Sequence, residues 1–148
     1  MQTKQIIVMR ADLEMDAGKV GAQTAHASFA FVSRQFRKGH NDQNIFINDV
    51  EREWFENSFT KIVVWVYSEE ELMEMYYKAL DEGIMTHLVV DNGATVFNGV
   101  KTRTCVALGP DIPENLDPIV GHLSTTKSKA KVKQAKRASE DIEHNVVG

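Results

Sequence analysis

Residues 12–27 have the sequence Asp12-Leu-Glu-Met-Asp-Ala-Gly-Lys19-Val-Gly-Ala-Gln23-Thr-Ala-His26-Ala27 and follow a short apolar run. The small residues around Lys19 predict a helix that begins near Gly18, directly after a strand. The free N–H groups of a helix's first turn favour an anion, and Lys19 adds a full positive charge at that point. The segment therefore predicts a strand–helix junction that binds an anion or stabilises an oxyanion.

Helical spacing sorts the side chains of this segment into two stripes. Lys19, Gln23 and His26 form a polar stripe, and Val20, Ala27 and Phe31 form an apolar stripe. A helix beside a strand-end crevice needs both stripes, because the apolar stripe packs on the sheet and the polar stripe faces the crevice. The alternative is that Lys19 is a solvated first-turn residue and His26 an ordinary histidine.

Hydrophobic periodicity predicts strands over residues 5–10, 61–67, 86–90 and 102–108, and helices over 18–36, 47–54, 69–83 and 113–123, the last interrupted by Pro118. This alternation predicts an α/β fold, a single-domain layered sandwich with a mixed, about four-stranded β-sheet flanked by α-helices. The second strand is apolar on both faces, which favours a central position. The fourth follows a turn-rich loop, which favours antiparallel pairing.

Length and composition limit the class of protein. A chain of 148 residues with 43% hydrophobic content suits one domain with a core. The single cysteine, Cys105, excludes an internal disulfide, fits a cytoplasmic protein, and lies in an apolar run that favours burial. No run reaches membrane-spanning length. We therefore expect no membrane association.

The charge of the chain is uneven. Residues 1–122 hold 11 Lys and Arg against 18 Asp and Glu, whereas residues 127–137 hold six basic residues and no acidic one. We expect a domain over residues 1–123 and a basic, flexible or partly helical tail over 124–148. Basic segments commonly bind phosphate. The alternative is a solvated tail without a ligand, and its charge order opposes the helix dipole and predicts fraying.

A second polar cluster covers residues 91–104. Asp91-Asn-Gly93 is a turn signal at a strand end, and Gly93 is free to adopt positive φ. Thr95, Thr102 and Thr104 add hydroxyls near a carboxylate that holds a water and accepts its proton. The alternative is a loop whose Asp91 caps its own backbone. Because Lys19 and Asp91 both follow parallel strands, we expect them to face one crevice.

Several of these residues, together with two short runs near the end of the domain, resemble the motifs of a known family. The run from Gly18 to Ala27, the Asp91-Asn-Gly-Ala-Thr95 turn, Thr104, Leu108-Gly-Pro110 and Gly121-His-Leu123 resemble the archaeal and eukaryotic type of peptidyl-tRNA hydrolase. The resemblance implies hydrolysis of the ester between peptide and tRNA, with peptidyl-tRNA as partner and without metal or organic cofactor. It leaves homodimer formation open.

The resemblance also assigns site residues. It matches Lys19, Asp91, Thr95 and Thr104 to the family's functional residues, and Gln23 and His26 to its helix residues. Asp91 would orient or deprotonate the attacking water, the two threonines would position that water, and Lys19 would stabilise the oxyanion or a nearby phosphate. A neighbouring Lys19 would also make Asp91 a weaker base. We add Gly93, Lys101 and Arg103 as substrate-binding residues.

Departures from the family pattern leave two functions open. Ala94 and Val96 stand where the family usually has Arg and Gln, and Lys101 and Arg103 restore positive charge in a longer loop. The connection over residues 38–59 and the residues after Leu123 also exceed the family pattern. The chain is an active hydrolase or a non-catalytic tRNA- or protein-binding module on the same fold. A nucleotide-binding P-loop is excluded by Leu13 and Val20, and histidine spacing gives no zinc site.

Overall fold

The four strands form one mixed sheet in the computed structural model, which describes residues 2–36, 38–41, 44–94 and 96–146, without side chains for 143–146. The strands are β1 (Lys4–Arg10), β2 (Thr60–Val66), β3 (Thr86–Asp91) and β4 (Thr102–Asp111), in the order β2-β1-β4-β3. Strand β1 pairs in parallel with β2, and β4 runs antiparallel to both β1 and β3. The predicted α/β fold and the antiparallel fourth strand are confirmed.

The prediction that the second strand is central is wrong, because β2 lies at the edge of the sheet. Its apolar character comes from packing on both faces, since Val64 belongs to one buried cluster and Val63 packs against another. The chain that follows the fourth helix covers this edge, since the Trp65 N–H donates to the Ser124 carbonyl (3.1 Å) and the Trp65 indole N–H donates to the Thr125 carbonyl (3.1 Å).

The described residues form five α-helices: α1 (Ala17–Ser33), α2 (Asp49–Glu53), α3 (Glu69–Asp81), α4 (Pro113–Val120) and α5 (Lys129–Val146). A π-helical turn, Trp54–Ser58, continues α2. Side-chain caps fix three starts: Asp16 for α1, Asn48 for α2 and Ser68 for α3. Pro118 lies within α4 and does not interrupt it. None of the helices in the described part of the chain has the length and apolarity needed to cross a bilayer.

Alternate residues of β1 build two cores. Ile6 and Val8 face α3 and α4, where they join Leu72 and Leu116. Ile7 and Met9 face α1, where they join a second cluster that contains Ala27, Val89 and Cys105. The apolar stripe predicted for α1 thus packs against the sheet, and Lys19 of the polar stripe lies in the first turn of α1, after the carboxyl end of β1.

The basic tail forms a helix that contacts the rest of the chain. Val132 is buried, the Ser128 N–H donates to the Tyr67 hydroxyl (2.7 Å), and the Lys136 ammonium lies 2.6 Å from a Glu14 carboxylate oxygen. Tertiary contacts therefore hold α5, although its charge order alone predicts fraying.

Candidate active site

The Lys19 ammonium and the Asp91 carboxylate form the centre of the candidate site, with Nζ 2.7 Å from Oδ2. Asp16 caps α1 by accepting the Lys19 backbone N–H (2.8 Å), which fixes the first turn, and Asp91 is the last residue of β3. The two side chains are 13% and 9% exposed, so water screens the pair only weakly. The two residues therefore lie together, as expected, and a crevice that both of them face stays a prediction.

Gln23 contributes a second donor to the same carboxylate. Its amide nitrogen donates to Asp91 Oδ2 (3.1 Å), and its amide oxygen accepts the hydroxyl proton of Thr104 (2.5 Å). Both Gln23 and Thr104 are buried. A hydroxyl that donates to the amide oxygen fixes the orientation of the amide, so that its NH₂ group points at Asp91.

The turn after β3 supplies a third donor. The Gly93 N–H donates to Asp91 Oδ1 (2.7 Å), and Gly93 has φ of +81°. A Cβ atom at this position would lie 2.6 Å from the backbone nitrogen and oxygen of Val100. Glycine is therefore required here both for its dihedral angle and for the close approach of the loop. Asp91 caps its own turn, as the alternative interpretation expects, and also pairs with Lys19, while its role towards a water stays a prediction.

These donors determine the ionisation of Asp91. The Lys19 hydrogen bond holds the pKa of Asp91 below its ordinary value of 3.8, and the Gly93 N–H lowers it further. Burial opposes this effect, while the Lys19 charge and the Gln23 amide add to it. Asp91 is therefore a carboxylate at neutral pH. Its oxygens accept three described hydrogen bonds of the roughly four that a carboxylate holds, which leaves an acceptor position for water.

The structure places the other predicted residues apart from this centre. His26 is exposed and lines a groove with Phe29, Ala30, Val89 and Val90. Lys101 is exposed, and the Arg103 guanidinium lies 3.2 Å from a Glu69 carboxylate oxygen. Thr104 is behind Gln23 and does not face the crevice. Thr95 lies outside the described residues.

Sequence analysis missed two neighbours of the site. The half-buried Phe97 ring lies beside Lys19, with Nζ 5.6 Å from its centroid. Arg10, the last residue of β1, forms a two-pronged ion pair with Asp12 and donates to the Arg103 carbonyl (3.0 Å). A basic residue at the end of an apolar strand was the sequence signal that could have identified Arg10. Phe97 gave none, because one aromatic residue in a loop is common.

Two alternative chemistries gain no support. Burial raises the pKa of the Cys105 thiol to about 12, so the thiolate required of a nucleophile is absent at neutral pH, and the predicted burial is confirmed. In the described part of the chain, His, Cys, Asp and Glu side chains form no group of three or more that is arranged to hold a metal ion.

Comparison with known proteins decides the family. The model of the family described as "Peptidyl-tRNA hydrolase PTH2" matches residues 3–126. The chain belongs to this family. Proteins named peptidyl-tRNA hydrolase from Thermoplasma acidophilum and Haloquadratum walsbyi are 38% and 39% identical to it, each over 121 residues, which is 82% of this chain and 96% and 97% of theirs.

Two further proteins are similar to this PTH2 family chain. The peptidyl-tRNA hydrolase of Methanothermobacter thermautotrophicus is 37% identical over 120 residues, which is 81% of this chain and 96% of its own. A solved protein of unknown function from Agrobacterium tumefaciens has a TM-score of 0.52 at 14% identity, covering 86% of this chain and 99% of its own. That second likeness concerns the fold alone. The resemblance recognised from Gly18–Ala27 and Asp91–Thr95 is confirmed.

Proposed function

We propose that this PTH2 family chain hydrolyses the ester bond between the peptide and the terminal ribose of peptidyl-tRNA, and so recycles tRNA from aborted translation. The observation that carries the proposal is the Lys19–Asp91 pair, 2.7 Å apart at the carboxyl ends of β1 and β3, inside the region that matches the family. Ligands of α/β sheets bind at this edge.

Asp91 orients the attacking water in this proposal. The water donates a hydrogen bond to the carboxylate position that Lys19, Gln23 and Gly93 leave free, and its oxygen forms a bond to the ester carbonyl carbon. Because the pKa of Asp91 is lowered, the carboxylate is a weak base and acts mainly by orientation. Asp91 accepts one proton from the water as the water oxygen forms its bond to the carbonyl carbon.

Lys19 stabilises the charge that this attack creates. The carbonyl oxygen becomes an oxyanion in the tetrahedral intermediate, and the ammonium with the N–H groups of the first turn of α1 is the source of positive charge beside it. The bond to the ribose oxygen then breaks, and that oxygen takes up the proton that Asp91 accepted from the water. The peptide acid loses its remaining proton to solvent, so the products are free tRNA and a peptide with a carboxylate.

Three residues hold Asp91 in place. Gln23 and Gly93 donate to its two oxygens, and Thr104 orients the Gln23 amide, so we assign Gln23 and Thr104 as positioning residues. This assignment differs from direct contact of Thr104 with water, because the Thr104 hydroxyl is buried behind the amide. Thr95 keeps its proposed role of positioning the water.

Basic side chains near the loop bind the tRNA in this proposal. Lys101 is exposed and available for phosphate, whereas Arg103 must leave Glu69 or bind phosphate beside it. The exposed Ala94 and Val96 offer neither a guanidinium nor an amide where the family usually has Arg and Gln. We therefore expect the residues near this turn to bind the tRNA weakly. His26 contacts a more distant part of the substrate, along the groove beside β3.

A cytoplasmic location and a homodimer belong to the same proposal. The substrate is produced by ribosomes, and the single buried thiol is compatible with a reducing compartment. Phe29 and Val90 are 56% and 49% exposed beside one groove, and this is the surface on which a second copy would pack. Light scattering on the eluted protein tests the dimer.

Release of tRNA from a purified peptidyl-tRNA tests the proposed function. Wild-type protein is expected to release free tRNA and intact peptide, with the Asp91→Asn variant, prepared in parallel, as a control against contaminating hydrolase. A wild-type preparation that binds tRNA but releases no more than Asp91→Asn would contradict hydrolysis. It would instead support the non-catalytic binding module, which the intact Lys19–Asp91 pair does not favour.

A further inference from the structure

The helix α5 is an addition to the family domain. The family model ends at residue 126, and α5 covers Lys129–Val146. The alignments with the relatives from Thermoplasma acidophilum and Haloquadratum walsbyi use 96% and 97% of those proteins but 82% of this chain. Those relatives therefore have almost no residues left from which to build a corresponding helix.

Specific contacts fix α5 to the domain. Ser128 begins the helix by donating its N–H to the Tyr67 hydroxyl (2.7 Å) and accepting the Lys131 N–H through its side chain (3.2 Å). Val132 is buried one turn later, and Lys136 pairs with Glu14 (2.6 Å) after another turn. The residues at positions 128, 132 and 136 follow one side of the helix, so α5 is docked along its first two turns.

The docked helix lies beside the carboxyl ends of the parallel strands, and so does the candidate active site. Tyr67 directly follows β2, and Glu14 lies in the loop between β1 and α1, five residues before Lys19. Both contacts are therefore at the carboxyl ends of the parallel strands, where Lys19 meets Asp91. A substrate that enters the crevice from this edge has α5 beside it.

A basic stripe, defined as Lys129, Lys133 and Arg137, follows the helix at intervals of four residues. All three side chains are exposed, and within the described part of the chain none forms an ion pair. The stripe is about 12 Å long at 1.5 Å per residue. Residues 1–122 carry an excess of seven acidic side chains, so the stripe is a local positive surface on a negative domain.

We propose that the basic stripe of α5 binds the phosphate backbone of the tRNA whose peptide ester lies in the crevice. This inference rests on the proposed function for its substrate. Three fixed cations beside a strand-end site match a polyanion that extends beyond that site, and each neutralised phosphate adds affinity through release of counterions. The stripe binds the tRNA, whereas Lys19 and Asp91 carry out the chemical step.

Two triple variants with the same change of charge test the stripe. One is Lys129→Gln/Lys133→Gln/Arg137→Gln. The control is Lys38→Gln/Arg52→Gln/Lys78→Gln, whose residues are exposed and lie outside α5, two of them in surface ion pairs. The measurements are the binding of uncharged tRNA across a salt series and the steady-state hydrolysis of peptidyl-tRNA.

The stripe variant is expected to bind tRNA at least about tenfold more weakly at low salt and to lower the slope of log K against log salt by about 2. Its kcat should stay within about twofold of wild type, with the loss in kcat/KM. Equal losses in the two triple variants, or no change of slope in the stripe variant, would overturn the proposal. A stripe-dependent slope in a protein that hydrolyses nothing would instead contradict only the proposed function.

Docking of the helix is tested separately. Val132→Asp places a charge in the buried contact, and Ala130→Asp makes the same change of charge at an exposed position of the same helix. We expect Val132→Asp to expose α5 to limited proteolysis and to weaken tRNA binding more than Ala130→Asp does. Equal tRNA affinity of the two variants would show that an undocked tail binds tRNA equally well. It would overturn the claim that α5 must be docked for the basic stripe to bind tRNA.

Discussion

The Lys19 ammonium and the Asp91 carboxylate meet at 2.7 Å although they are 72 positions apart in the sequence. The pair joins the first turn of α1 to the last residue of β3, and both side chains are largely shielded from water. Such a pair has a chemical consequence. Lys19 keeps Asp91 ionised and lowers its strength as a base, so the site favours orientation of water and stabilisation of the oxyanion.

The pH dependence of Asp91 follows from this contact. Because the Lys19 hydrogen bond is the largest cause of the lowered pKa, Lys19→Ala should raise the pKa of Asp91 towards or above its ordinary value of 3.8. The stability that the ionised Asp91 contributes is present above pH 4 and is lost as the pH falls through the lowered folded-state pKa. Carboxyl NMR titration of wild type and Lys19→Ala measures the shift. An unchanged Asp91 pKa would contradict the proposed electrostatic coupling.

Thr104 should act through Gln23. Thr104→Val removes the hydroxyl that donates to the amide oxygen, so the amide is free to rotate away from Asp91 and a buried acceptor is left unpaired. We expect kcat to fall about tenfold, equivalent to about 1.4 kcal/mol, with KM little changed. Thr104→Ser keeps the donor and should restore most of kcat. If Ser and Val at this position gave the same rate, the hydroxyl would not orient the amide.

Much of the site follows from sequence, for a physical reason. Strand ends at one edge of a sheet lie close together, so Lys19 and Asp91 were predictable as neighbours once β1 and β3 were recognised. Thr104 was predicted near the carboxylate, but its position behind Gln23 was not, because that position depends on the register of β4 against β3, which shifts at a bulge between Val89 and Val90. A local pattern does not encode such a shift.

His26 and β2 show two further limits. Helical spacing puts His26 on the stripe of Lys19, but seven residues of rise carry it about 10 Å along the helix to another groove. The apolar residues of β2 are those of a strand covered on both faces, and both faces pack on buried clusters although the strand lies at the edge of the sheet. The contacts that dock α5 at Ser128, Val132 and Lys136 are also long-range, so a local pattern does not show them.

Gly93 and Gly99 form a matched pair for testing the turn. Both have positive φ, +81° and +77°, but a Cβ atom would contact the Val100 backbone at Gly93 and nothing within 4 Å at Gly99. Gly93→Ala should lower the free energy of unfolding by about 1–3 kcal/mol more than Gly99→Ala and should reduce hydrolysis, since the Gly93 N–H holds Asp91. Thermal unfolding and rate assays of the two variants measure both effects. Equal behaviour would rule out the steric requirement at Gly93.

The most direct test of the Lys19–Asp91 pair is a double-mutant cycle on the hydrolysis of peptidyl-tRNA. The kcat/KM values of wild type, Lys19→Ala, Asp91→Asn and the double variant are compared at a temperature at which circular dichroism shows all four proteins folded. We predict that each single variant loses about 10²-fold or more and that the double variant loses much less than the product of the two, because the residues act as one unit. Hydrolysis near the wild-type rate in both single variants would contradict the assignment of this pair as the catalytic centre.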